Sequence, residues 1–212
     1  KTLTVANNAN IELATDIGTA FSVAGKNSSS TVNLVVGDDT NASGAAITIE
    51  TGTLTAATNI TTVNLDATVG KFTATATTLT NSNAAGGTGA TLNITGSKDV
   101  TLGDVTAKEV NAGSSTGNIK MTATGANTSK TITTGTGADH ITLNQALKFT
   151  VDAGNGDNTV IISAADTASS IATGAGADTV TIGTANSVVV VTGGGDDTVN
   201  FNADSDSIII MG

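Results

Sequence analysis

The chain has 212 residues, of which 42 are Thr and 25 Gly, and it contains no Pro, Cys, Trp, Tyr or Arg. That composition excludes a disulfide framework or a Cys-based zinc site. One His with no Arg or Tyr leaves few groups for a nucleophilic or general-base constellation. The formal charge is −10, and eight Asp but no Lys follow Lys148, so this segment repels nucleic acid, anionic membranes and itself unless something cationic binds.

In chain order, short apolar-polar-apolar triplets recur. They begin with Leu3-Thr4-Val5, Ile11-Glu12-Leu13, Phe21-Ser22-Val23, Val32-Asn33-Leu34 and Ile47-Thr48-Ile49. They continue as Val63-Asn64-Leu65, Leu92-Asn93-Ile94, Val100-Thr101-Leu102, Ile119-Lys120-Met121 and Ile141-Thr142-Leu143. Each triplet sends two side chains to one face of a strand and one to the other. The residues between them are Gly, Asn, Asp, Ser, Ala and Thr, the composition of tight turns. A sandwich would call for larger side chains and aromatics in a layer about 10 Å thick, whereas this chain has only four Phe. No stretch approaches the roughly 18 apolar residues of a helical membrane span. The expected fold is all-β, a right-handed parallel β-solenoid. Residues 63–77 superpose on 110–124 at an offset of 47, with Val, Asn, Gly, Thr and Ala matched. That offset suits two coils of about 23–24 residues each. Residues 1–130 read as one irregular, Thr/Ala-rich solenoid segment.

From residue 131 the repeat tightens into four Gly-rich turns: 134-TGTGADHIT, 153-AGNGDNTVI, 173-TGAGADTVT and 192-TGGGDDTVN. Gly135, Gly154, Gly174 and Gly193 follow one another at 19, 20 and 19 residues. With strands at 149–151, 188–191 and 208–210, each period holds two strands and two turns. The turns match the calcium-binding nonapeptide G-G-x-G-x-D-x-U-x, where U is a large apolar residue. The first Gly is replaced, but the second and fourth positions stay Gly: Gly135/Gly137, Gly154/Gly156, Gly174/Gly176 and Gly193/Gly195. The sixth position is Asp139, Asn158, Asp178 or Asp197, with Asp157 and Asp196 beside the second and fourth of these. Gly permits a tight turn whose carbonyls point inward, and calcium takes about six to eight hard oxygens of the kind that carbonyls and carboxylates supply. These residues form the expected Ca2+ site. It lies along one edge, because the opposite corners near Gln145, Asp166, Asn186 and Asp204/Asp206 lack the Gly pattern. A bland alternative is a set of metal-free corners whose Asp side chains bond turn amides. Gly37-Asp38-Asp39-Thr40 is one imperfect echo.

The 131–212 segment resembles the repeats-in-toxin (RTX) family of secreted bacterial proteins. With 58-TNITTVNLDATVGKFTATAT and 106-TAKEVNAGSSTGNIKMTATGANTSKTITTGTGADHITL, the whole chain resembles the RTX-type surface-layer proteins of Gram-negative bacteria. The resemblance implies a solenoid continuing into an RTX β-roll, calcium dependence, type I secretion and self-association into a two-dimensional lattice on the cell surface. The ligands it implies are the turn Gly carbonyls with Asp139, Asp178 and Asp197, Asn158 departing from the pattern. It implies no nucleic-acid partner and no membrane insertion. Anchoring to surface polysaccharide would use regions outside these residues, so the chain reads as a fragment.

Three other readings compete with this one. A pectin-degrading solenoid enzyme would need basic and aromatic residues, and the lone His140 sits at the seventh position of a turn, so no enzymatic activity is expected. An ice-binding face would need Thr-x-Thr on the same strand of every coil, which Ile141-Thr142-Leu143, Val160-Ile161-Ile162 and Val199-Asn200-Phe201 interrupt. A calcium-stiffened stalk of a large adhesin shares the fold, the ion and the export route.

Overall fold

The computed structural model describes residues 2–14, 20–26, 30–37, 47–56, 59–79, 89–125, 129–165, 169–185, 187–201 and 208–212. They are all-β. Strands from Thr2–Val5 to Ile208–Ile210 alternate between two sheets, odd-numbered strands in one and even-numbered in the other. Both sheets are ten-stranded, and every strand pairs in parallel with the strands two places before and after it. The chain therefore winds as a parallel β-solenoid, each rung giving one strand to each sheet. All ten triplets fall within strands.

Small residues close the space between the sheets. The alternation predicted from the triplets is clearest at Ser30–Val36, where every second side chain is buried. Val, Leu, Ile and Ala dominate the interior, with Phe72 and Phe149 its bulkiest members. Fully burying one Val, Leu or Ile side chain contributes about 1.5–3 kcal/mol, so a thin core gains stability by repetition along the axis. At the C-terminal end Phe201 and Ile210 are about half exposed.

The register explains the offset of 47, but not as two equal coils. Val63 pairs with Leu92, and Leu92's neighbour Asn93 pairs with Asn111, giving steps of 29 and 18 residues. In the other sheet Phe72 pairs with Val100 and Val100 with Ile119, steps of 28 and 19. Loop length varies while strand register is kept. Both sheets run through residue 131 without a break, since Glu109–Asn111 pairs with 131–133 and 120–123 with 140–143.

Two outward rows are fixed by this register. Thr142, Ile161, Thr181 and Asn200 share one row, so an apolar side chain does interrupt the Thr array. On the other sheet Asn10, Asn33, Asn64 and Asn93 stack, the Nδ2 of Asn33, Asn64 and Asn93 each donating to the Oδ1 of the preceding rung at 2.7–2.8 Å. The polar centres of three triplets, Asn33, Asn64 and Asn93, thus join successive rungs through side-chain amides.

Lys130 breaks the interior pattern. It points inward, 2% exposed, in register with Phe149, and its Nζ donates to the Ala107 carbonyl. Burial pulls its amine down to about 8 from 10.5. Between those values the unfolded chain binds the extra proton, so stability rises with pH across that window and the charged amine costs most below it. Lys130→Met should raise stability at pH 7 by about 1–3 kcal/mol, net of the lost hydrogen bond. The gain should shrink at alkaline pH, and paired thermal melts at neutral and alkaline pH would check both.

Candidate metal centre

The four Gly turns lie at connections from the second sheet back to the first, and so stack along one edge. Gly154 (φ 68°), Gly156 (φ 111°), Gly174 (φ 82°), Gly176 (φ 143°), Gly193 (φ 82°) and Gly195 (φ 139°) occupy the left-handed region. Each also abuts the turn before it. A methyl on Gly154, Gly174 or Gly193 would overlap the carbonyl oxygen of Gly135, Gly154 or Gly174, and the second column repeats this at Gly156, Gly176 and Gly195. Gly135 and Gly137 lack the positive φ but meet the Ser115 and Gly117 carbonyls in the same way. The stack therefore starts one rung earlier than the Gly spacing indicates, at 112–118. Its signal, Gly117 followed by an apolar Ile119, was masked by two extra residues. Gly212, 19 residues after Gly193, abuts the Gly193 carbonyl and continues the column.

Inside this edge the sixth-position side chains form a ladder. The N–H groups of Ile119, Asp139, Asn158 and Asp178 donate in turn to the Oδ1 atoms of Asp139 (2.7 Å), Asn158 (3.0 Å), Asp178 (2.8 Å) and Asp197 (3.0 Å). Asp139, Asn158 and Asp178 are at most 2% exposed. The metal-free expectation of Asp bonding turn amides is thus met by one oxygen of each carboxylate. The other oxygen is not accounted for: Oδ2 of Asp139, Asp178 and Asp197 is buried with no hydrogen-bond partner. A buried carboxylate oxygen without a donor carries a large desolvation penalty. Three in one column call for a cation or a proton.

Asn158 shows what surrounds that position. Its Nδ2 donates to the carbonyls of Gly156 (2.9 Å), Thr173 (3.0 Å) and Gly154 (3.3 Å). Register makes 139, 158, 178 and 197 equivalent, so the free Asp oxygens occupy a setting built from carbonyl acceptors. An acceptor-only cluster of hard oxygens fits Ca2+. The residues able to hold it are Asp139, Asp178 and Asp197 with the carbonyls of the turn glycines Gly135, Gly137, Gly174, Gly176, Gly193 and Gly195, those of Gly154 and Gly156 being taken by Asn158 Nδ2.

Asp157 and Asp196 are placed differently. Both are exposed at the fifth position, on the outside of their turns, and Asp157 Oδ1 accepts from the Ala177 N–H at 2.8 Å. Alternation carries their side chains away from the inward column. Among the described residues no three His, Asp or Glu side chains gather into one metal-binding group. A cation here would rest on one carboxylate oxygen per turn plus carbonyls. His140 is half-buried in an outward row between Lys120 and Thr159. Gly37 lies on the same edge as the Gly turns, between Ser30–Val36 and Ile47–Ala56. Asp38, Asp39 and Thr40 of that echo lie outside the described residues, as do Asp166, Asn186, Asp204 and Asp206, expected at the opposite corners.

Burial pushes the Asp139 carboxyl up from 3.8, against the Ile119 N–H on Oδ1, which pulls it down. Between 3.8 and that raised value the folded state holds the extra proton, so without a cation stability falls as pH rises through the window. Melting in chelator should therefore fall from about pH 4 toward neutrality, and Asp139→Asn should flatten part of that slope. Gly174→Ala, at φ 82° and against the Gly154 carbonyl, should cost about 2–4 kcal/mol. Gly194→Ala, with nothing within 4 Å, should stay within about 0.5 kcal/mol of wild type in chemical denaturation.

No family model, no curated protein and no solved structure matches this chain.

Proposed function

We propose that the chain is a structural segment of a secreted bacterial surface layer, a β-solenoid whose acidic edge is stabilised by calcium and whose flanks associate into a two-dimensional lattice on the cell surface. The observation that carries the calcium part is the column of three buried, donor-less carboxylate oxygens in Gly turns. Bound there, calcium would supply positive charge that neutralises Asp139, Asp178 and Asp197. The protein's own part is to hold those oxygens inward and exclude water.

The charge distribution supports the same reading. Among the described residues every Asp after Lys148, namely Asp152, Asp157, Asp178, Asp196 and Asp197, lies at or beside this one edge. Like charges stacked about 4.8 Å apart per rung repel strongly at low dielectric. The surface-layer part rests on the likeness to RTX-type surface-layer proteins and on a parallel solenoid suited to a structural, non-catalytic role. Export by a type I system and an extracellular location belong to the same reading.

Chelating calcium should accelerate amide exchange across 131–212 and leave the earlier rungs less affected. Unchanged exchange and circular dichroism after chelation would sink the calcium reading. Electron microscopy of the full-length protein with calcium should show ordered sheets. Isolated rods would instead assign the chain to the stalk of an adhesin.

A further inference from the structure

We infer that Asn158, together with Ala153, closes its turn without a cation, leaving the turns of Asp139, Asp178 and Asp197 as the calcium-dependent ones. The inference rests on the calcium reading above and refines it to individual turns.

The four sixth-position side chains share one pose, because each Oδ1 accepts the N–H of the preceding column member. They differ only at the second atom. In the three Asp it is an oxygen with no donor. In Asn158 it is an amide nitrogen whose two hydrogens meet three carbonyls, those of Gly154, Gly156 and Thr173. A flipped amide would set an oxygen against those same carbonyls, so this orientation is chemically required. The amide delivers positive partial charge to the position where the Asp turns need an ion.

A second column changes in step with the first. Thr134 donates its hydroxyl to the Ala153 carbonyl of the next turn at 2.9 Å, and Thr173 donates to the Thr192 carbonyl at 3.0 Å. Ala153 has no hydroxyl to offer the Thr173 carbonyl, and that carbonyl takes its hydrogen bond from Asn158 instead. The pairing holds in all four turns: Thr134 with Asp139, Ala153 with Asn158, Thr173 with Asp178 and Thr192 with Asp197. At Thr134 and Thr173 a hydroxyl serves the next turn's carbonyl, so Asp139 and Asp178 need not donate and can be acceptors for a cation, while the Thr192 hydroxyl faces Met211 Sδ at 3.7 Å. In the Ala turn the sixth residue must donate. The two residues thus act as one unit that sets whether a turn takes an ion, and the stack keeps one calcium-independent turn between Asp139 and Asp178.

The test exchanges the units in the full chain. Thr173→Ala/Asp178→Asn moves the Ala–Asn unit to the third turn, Ala153→Thr/Asn158→Asp moves the Thr–Asp unit to the second, and Asp178→Ala controls for simple loss of the carboxylate. Bound Ca2+ is counted by calorimetric titration with CaCl2, and thermal melting is followed in EDTA. The first double variant should bind one ion fewer and melt about 3–6 °C higher than wild type in EDTA. The second should bind one ion more with CaCl2 and melt lower in EDTA. The inference is overturned if the first double variant melts in EDTA no higher than Asp178→Ala, or if the second melts like wild type. If no protein takes up Ca2+ while the EDTA shifts appear, the calcium reading fails and closure by Asn158 stands.

Discussion

The close stacking of the Gly turns is the constraint on which the rest of this edge depends. Carbonyl oxygens of one turn press on the α-carbons of the next, as at Gly154 on Gly135 and Gly174 on Gly154. No side chain can enter from outside, so every polar atom inside must be served by the column itself. The N–H ladder serves one oxygen of each sixth-position residue. A Thr hydroxyl or the Asn158 amide serves the next turn's carbonyl. What is left over is one buried oxygen on each of three Asp, a place for a cation or a proton.

The two sheets supply the frame that makes such stacking repeatable. Parallel pairing in fixed register lets loops vary while strands superpose, so steps of 29 and 18 residues coexist in one sheet. Small aliphatic side chains fill a thin interior, and the Asn10–Asn33–Asn64–Asn93 amides tie rungs together on the outside. Lys130 is the exception inside the frame. Its desolvated amine is set against Phe149, with a single carbonyl acceptor at Ala107.

Strand positions and the Gly edge were legible because both are local signals. Val32-Asn33-Leu34 marks a strand by alternation alone, and Gly174/Gly176 with Asp178 marks a turn by spacing alone. What the sequence could not yield depends on which residues become neighbours across a loop. The equal coils of about 23–24 residues gave way to unequal ones because register is kept by pairing, not by loop length. Asp157 and Asp196 look like ligands in sequence, but a residue one place away from the inward column points outward. The turn at 112–118 is not legible in the sequence because two inserted residues hide its Gly spacing. The burial of Lys130 is hidden too, because a lysine flanked by Ser129 and Thr131 reads as solvent-facing until Ile132 and Phe149 fix its row. The pairing of Thr with Asp and of Ala with Asn was written in the four turns all along, yet it means something only once the next turn's carbonyl is seen.

Whether the free oxygens of Asp139, Asp178 and Asp197 hold a cation decides the role of this edge. Anomalous diffraction from crystals of the full chain grown with a calcium-mimicking lanthanide tests it most directly. Anomalous peaks are expected within coordination distance of those Oδ2 atoms and none at Asn158 Nδ2. Peaks only at the exposed carboxylates of Asp157 and Asp196, or none at all along the edge, would contradict it.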